Sequence, residues 1–140
     1  MRLGIVASRF NEAIAAELLK RAQGAARELG VEPTVISVPG ALEIPLALQW
    51  MAQSGRFDAL AALGVVVRGE TYHFEIVASE SARGLMDVAL EFGLPIANGI
   101  LTTEDEPQAL ARLDKGAEAV RVAVEMWKLR AGLKGVHENR

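Results

Sequence analysis

The sequence predicts an α/β fold: a four-stranded parallel sheet between two layers of helices, a three-layer α/β/α sandwich. Three observations predict it. Short apolar runs alternate four times with stretches of helical period, joined by short connections. The third run, Ala59 to Val67, contains no polar side chain, the mark of a strand buried on both faces. No internal repeat, low-complexity segment or linker breaks the alternation. One domain is therefore expected over residues 1–133, with a polar C-terminal tail, 134–140, expected to be disordered.

Leu3 to Ala7 is the first strand, and Ser8-Arg9-Phe10-Asn11 its exit loop, where Asn11 can cap the next helix. Ile14, Leu18, Ala22, Ala25 and Leu29 recur at three- and four-residue spacing, giving one apolar helix face that stops at Gly30. Thr34 to Val38 is β-branched and reads as the second strand, broken by Pro39-Gly40. Pro45 suits the first turn of the next helix, which runs through Leu46, Leu48, Trp50 and Met51 towards Gly55. The third strand ends in the turn Arg68-Gly69-Glu70-Thr71-Tyr72. A helix face follows: Ile76, Val77, Ala82, Leu85, Met86, Ala89 and Leu90, ended by Gly93. Pro95 to Thr102 is the fourth strand. Thr103 and Glu106 stand at capping-box spacing. Asp114 can cap a last helix from Lys115 to about Leu129, with Val120, Val122, Ala123, Met126 and Trp127 as its apolar positions. The many apolar positions left on the helices make contact between subunits an expectation.

Composition narrows the function classes. The 140 residues are 51% hydrophobic and 24% charged, with net charge −3. A sequence pI near 5.4 argues against nucleic acid, whose binders usually show a basic patch or a pI above about 9. There is no cysteine, so disulfides, thiolate metal sites and cysteine nucleophiles are excluded. Two histidines alone make a zinc site an unfavourable reading, and no metal or cofactor is expected. No apolar run approaches the roughly 20 residues of a membrane span. The start has too short an apolar core for a signal peptide, so a cytoplasmic protein is expected. No Gly-x-Gly-x-x-Gly, Gly-Lys dipeptide or Gly-x-Ser-x-Gly occurs. Dinucleotide, P-loop and serine-hydrolase readings thus lack their motifs.

In an open α/β sheet, ligands bind beyond the carboxyl ends of the strands. Those ends carry distinctive groups here. The first offers Phe10 and Asn11, and the second Gly40-Ala41-Leu42-Glu43. The third offers Gly69-Glu70-Thr71 and His73, and the fourth Asn98, with Arg112 and Lys115 further on. Singly, each has a structural explanation. A lone phenylalanine is more often core, Glu43 suits a helix N-terminus, Thr71 a cap, and Arg112 and Lys115 a solvated face. Together they fall where a ligand crevice lies. Phe10 can stack a planar heterocycle, and Glu43 can accept from several hydroxyls. Backbone N–H groups at Gly69 to Thr71 can hold an anion, aided by Arg112 or Lys115, provided that the Glu70 carboxylate points away. His73 brings an imidazole, the side chain suited to proton transfer at neutral pH.

These residues lie in segments similar to those of the lumazine synthases. The segments are Gly4 to Asn11, Val38 to Pro45, Ala62 to Glu75, Gly99 to Thr103 and Lys115 to Ala119, in the family's order and spanning nearly the whole chain. The resemblance implies a flavodoxin-like fold and a transferase of riboflavin biosynthesis. It would condense 5-amino-6-(D-ribitylamino)uracil with 3,4-dihydroxy-2-butanone 4-phosphate to give 6,7-dimethyl-8-ribityllumazine, phosphate and water. It implies that Phe10 stacks on the pyrimidine, and that Ala41, Leu42 and Glu43 face the ribityl chain, Glu43 on its hydroxyls. Val65, Val66 and Val67 would line the pyrimidine pocket, Glu70 and Thr71 the phosphate turn, and His73 would transfer protons. Arg112 would bind phosphate, with Lys115 nearby. Asn98, Arg112 and Lys115 would come from a neighbouring subunit, because the family's site lies between subunits of a pentamer. The sequence departs from the family at three points. Asn98 stands where many members have phenylalanine. The link from Arg112 to Lys115 is only Leu113-Asp114, and the chain begins almost at the first strand. The last two set the expectation of a pentamer or a pair of pentamers rather than a large capsid. The alternative reading is a non-catalytic lumazine- or flavin-binding oligomer on the same scaffold.

Overall fold

Four parallel strands lie in the order β2-β1-β3-β4: β1 Leu3–Ser8, β2 Thr34–Val38, β3 Ala59–Val67 and β4 Ile96–Thr103. This is a computed structural model, and it describes residues 1–138. Between the strands run α1 Glu12–Glu28, a 3₁₀ turn Ala41–Glu43 leading into α2 Ile44–Gln53, α3 His73–Phe92, α4 Glu106–Leu110 and α5 Lys115–Glu138. Two-residue alternation along the strands sends side chains to opposite faces. Leu3, Ile5 and Ala7 of β1 and Ala59, Ala61, Leu63 and Val65 of β3 pack with α1 and α5. Val6, Leu60, Ala62 and Val66 pack with α2 and α3. The result is a three-layer, flavodoxin-like sandwich.

β1 and β3 are the inner strands, buried along almost their whole length, which is why their sequences read as unbroken apolar runs. The chain leaves β1 for β2 on one side, then returns to place β3 on the other. The exit loops of β1 and β3 therefore diverge, opening a crevice at the carboxyl ends of the strands.

Helix ends differ from expectation in instructive ways. Asn11 occupies the N-cap position of α1 but sits in the left-handed region, φ 60°, and makes no capping bond. Its amide instead donates to the carbonyl oxygen of Val65 at 3.3 Å. The cap of α4 is Asp105, which accepts from the amide of Gln108 at 2.9 Å, and not Thr103. Thr103 is still in β4, and its buried hydroxyl donates to the Asp105 carbonyl. The carboxylate of Asp114 receives Arg21 at 2.8 Å, joining α5's start to α1. Helix α5 continues past Leu129 to Glu138, so residues 134–138, expected in the tail, are helical. Residues 139 and 140 lie outside the described residues. Among the described residues, no helix is long and apolar enough to cross a membrane.

Candidate active site

A cleft of about 590 Å³ lies at the switch point. It is built from three exit loops, the first two drawn together by backbone hydrogen bonds. The amide of Arg9 donates to the carbonyls of Val38 and Pro39, and that of Phe10 to Pro39. These bonds lay the β1 exit loop against the β2 exit loop and set the Phe10 ring over Gly40. A Cβ on residue 40 would approach Cε2 of Phe10 to 2.6 Å, so only glycine admits the ring there. Phe10 is 65% exposed. It is not a core residue, and its face is available to a ligand.

Gly40 also fixes Glu43. The amide of Gly40 donates to Oε1 of Glu43 at 3.0 Å, while the Glu43 amide donates back to the Gly40 carbonyl at 3.2 Å. One carboxylate oxygen is thus committed to orientation. The other wall is the end of β3, Val65 to Val67, with Asn11 reaching across to the Val65 carbonyl. The third is the turn from β3 into α3. It carries Gly69, Thr71 and His73, with Phe74 and Val77 behind. His73 is exposed, and its amide donates to Oγ1 of Thr71 at 3.4 Å. Thr71 thus closes a loose turn of its own just before α3, whose N-cap is Tyr72. Among the described residues, the amides of Gly69, Glu70 and Thr71 donate to no backbone or side-chain acceptor. They remain available to an anion.

The cleft brings together Phe10, Asn11, Ala41, Leu42, Glu43, Val65, Val66, Val67, Thr71 and His73. It does not bring in four other expected residues. Glu70 is on the turn but exposed, outside the lining. Asn98 is not at a strand end. It lies opposite Ala62 in mid-β4, and its Oδ1 accepts from the amide of Ile100 at 2.9 Å. Arg112 donates to the carbonyl of Gln108 at 3.0 Å, and Lys115 pairs with Glu118 at 3.5 Å. Sequence reasoning missed Phe74 and Val77 as lining residues. Val77 was visible only as part of an apolar helix face, and the first turn of α3 turns that face into the cleft.

Arg68, in the turn after β3, pairs with two carboxylates. Its Nε reaches Oε2 of Glu104 at 2.6 Å, its Nη1 pairs with Glu75, and its guanidinium lies 4.5 Å from the centre of the Phe74 ring. The hydrogen bond from Arg68 holds the Glu75 carboxyl below the usual carboxylate range, and the two carboxylates raise the Arg68 guanidinium. Among the described residues, no cluster of three or more acidic or histidine side chains is gathered as metal ligands would be.

The cleft can therefore stack a flat ring, accept hydrogen bonds from hydroxyls, offer amides to an anion and move a proton. Comparison with known proteins agrees with this inventory. The sequence profile of the 6,7-dimethyl-8-ribityllumazine synthases matches residues 1–131. A protein of that name from Cupriavidus pinatubonensis is 54% identical over 99% of this chain and 85% of its own length. One from Cupriavidus necator is 57% identical over 95% and 82%, and one from an Azoarcus species 56% identical over 92% and 85%.

Proposed function

The chain belongs to the 6,7-dimethyl-8-ribityllumazine synthase family, and we propose that its cleft carries out that condensation in riboflavin biosynthesis. The substrates are 5-amino-6-(D-ribitylamino)uracil and 3,4-dihydroxy-2-butanone 4-phosphate. The observation that supports this most directly is the convergence of Phe10, Glu43, Thr71 and His73 on one space of about 590 Å³.

Each part has a physical task. Phe10 presents its ring to the pyrimidine, and the ends of Val65 to Val67 offer edge-on backbone groups. The ribityl chain lies along Ala41, Leu42 and Glu43. The free oxygen of Glu43 accepts from hydroxyls while the other is held by Gly40. The pyrimidine brings its own amine, so the imine forms between the substrates and the protein supplies no Schiff-base lysine. Phosphate then leaves by elimination as a proton is removed from carbon. That step needs an anion site at the Gly69–Thr71 amides and a proton carrier beside it, His73. Holding two reactive molecules in register supplies much of the rate.

The anion site is short of cations within one subunit, since Arg68 is bound to two carboxylates. Arg112, with Lys115, completes it from a neighbouring subunit of a pentamer or a pair of pentamers in the cytoplasm. The test is lumazine formation by the purified protein from the two substrates, followed by fluorescence. Turnover above the spontaneous background is expected. Fluorescence at background would overturn the reading, and tight product binding without turnover would replace it with a binding oligomer.

A further inference from the structure

The turn 69–72 has a mechanical problem. It must leave its amides free for an anion, so it cannot use them to hold itself in shape. Among the described residues, its internal support is the 3.4 Å bond from the His73 amide to Thr71, at the weak limit of hydrogen-bond geometry. Something outside the turn has to fix its two ends. Arg68 stands at one end, Glu75 stands in the first turn of α3 beyond the other, and the two are paired across the turn. Arg68 is also anchored from below. Its amide donates to the carbonyl of Thr103 at 2.8 Å, and its Nε holds Glu104 just beyond β4. Its guanidinium covers the ring of Phe74, a cleft wall.

We propose that Arg68 is a positioning residue. Through Glu75 and Glu104 it clamps the 69–73 turn, so that Thr71 and His73 face the cleft without Arg68 touching substrate. This rests on the condensation reading above. A guanidinium suits the role because its planar fork serves two carboxylates at once, which a lysine ammonium on a single stem does poorly. The bond to Glu75 is single-sided: Oε1 takes Arg68, whereas Oε2 is buried with no hydrogen-bond partner among the described residues. Removing Arg68 leaves that carboxylate unpaired, and Glu75→Gln reduces the ion pair to a weaker neutral hydrogen bond, with Glu104 as the one carboxylate left on Arg68.

Glu75→Gln separates this role from direct phosphate binding. It removes a negative charge close to the anion site. If Arg68 were itself a phosphate ligand, freeing it would tighten the sugar phosphate. If Arg68 is a clamp, the turn loosens and the sugar phosphate binds worse in spite of the favourable charge change. The experiment is steady-state kinetics of wild type, Arg68→Ala, Arg68→Lys, Glu75→Gln and the Arg68→Ala/Glu75→Gln double variant. Amide exchange at Ile76 and Val77, in the first turn of α3, is measured on the same proteins. A clamp raises KM for the sugar phosphate about three- to tenfold in each single variant and leaves KM for the pyrimidine within twofold. It makes the double variant no worse than the worse single one, because Arg68→Ala already removes the ion pair that Glu75→Gln removes, together with the one to Glu104. Exchange at Ile76 and Val77 speeds up in all of them, with Arg68→Lys in between. A lower KM for the sugar phosphate in Glu75→Gln overturns the proposal, as do unchanged KM and exchange. Should the wild type itself form no lumazine, the condensation reading fails on its own. Exchange then decides the clamp: faster in the variants supports it, equal in all overturns it.

Discussion

A Cβ on residue 40 would stand 2.6 and 2.8 Å from two ring carbons of Phe10 and 3.3 Å from Oε1 of Glu43. Both the stacking face and the hydroxyl acceptor therefore depend on one absent methyl group. Stacking of a base on an aromatic side chain is worth about 1–3 kcal/mol, roughly five- to 150-fold in binding. Phe10→Ala should raise KM for the pyrimidine within that range. Gly40→Ala should do the same although it touches no reacting atom, because the ring has to leave its place. Parallel KM measurements for both substrates check this; a Gly40→Ala enzyme with wild-type KM would show that the ring does not sit over residue 40. His73→Ala should act otherwise, lowering kcat by about two orders of magnitude, the low end of general acid–base catalysis, with little change in either KM. The sequence made Phe10, Glu43, Thr71 and His73 legible because each stands just past a strand end. It gave no sign of Arg68's direction, since a side chain's partner 36 residues away, Glu104, leaves no mark in local spacing.

At the scale of elements, strand positions were readable and helix caps were not. Buried strands select continuous apolar runs over many residues, whereas a cap rests on one side chain with several possible partners. Asn11 shows this: it holds the cap position yet gives its amide to Val65, tying α1's start to β3. The position of Asn98 within β4 and not at its end escaped for a related reason, as it depended on the β3–β4 register, which sequence does not print. Two elements also meet unusually closely. A Cβ on Gly116, in the first turn of α5, would lie 2.3 Å from the carbonyl oxygen of Leu18 in α1. Backbone cannot yield as a side-chain tip does. Gly116→Ala should therefore cost about 1–3 kcal/mol and lower the thermal midpoint by roughly 3–10 °C, as calorimetry can read. The β3–α3 junction carries a pH dependence of known sign. Arg68 lowers the folded-state pKa of Glu75. The stability it contributes is therefore full above the ordinary glutamate value of about 4.3 and is lost as pH falls through the lower folded value. Denaturation between neutral pH and about pH 3 should show a smaller acid-side loss in Glu75→Gln than in wild type.

The whole molecule leaves large apolar side chains on its surface. On α2 they are Leu46 and Trp50; on α3, Ile76, Met86 and Leu90; on α5, Val122, Met126, Leu129 and Leu133. The sequence had marked most of these as apolar helix positions without telling core from contact, since both obey the same period. Scattered exposed apolar residues are ordinary, but rows on three helices suit subunit contacts. If each site draws Phe10 from one subunit and Arg112 from the next, two defective chains can repair each other. Phe10→Ala and Arg112→Ala homo-oligomers would each carry a damaged half in every site. Arg112→Ala by itself should weaken the sugar phosphate more than the pyrimidine. When the two variants are unfolded together and reassembled in equal amounts, each site takes its two halves from different chains. About a quarter of the sites then have both halves intact, as closed cyclic symmetry requires for a head-to-tail interface. Activity in the mixture should rise well above the mean of the two parents, and sedimentation of the same sample should show five or ten subunits. Activity equal to that mean would place Arg112 in its own chain's site, and a sixty-subunit shell would refute the small assembly.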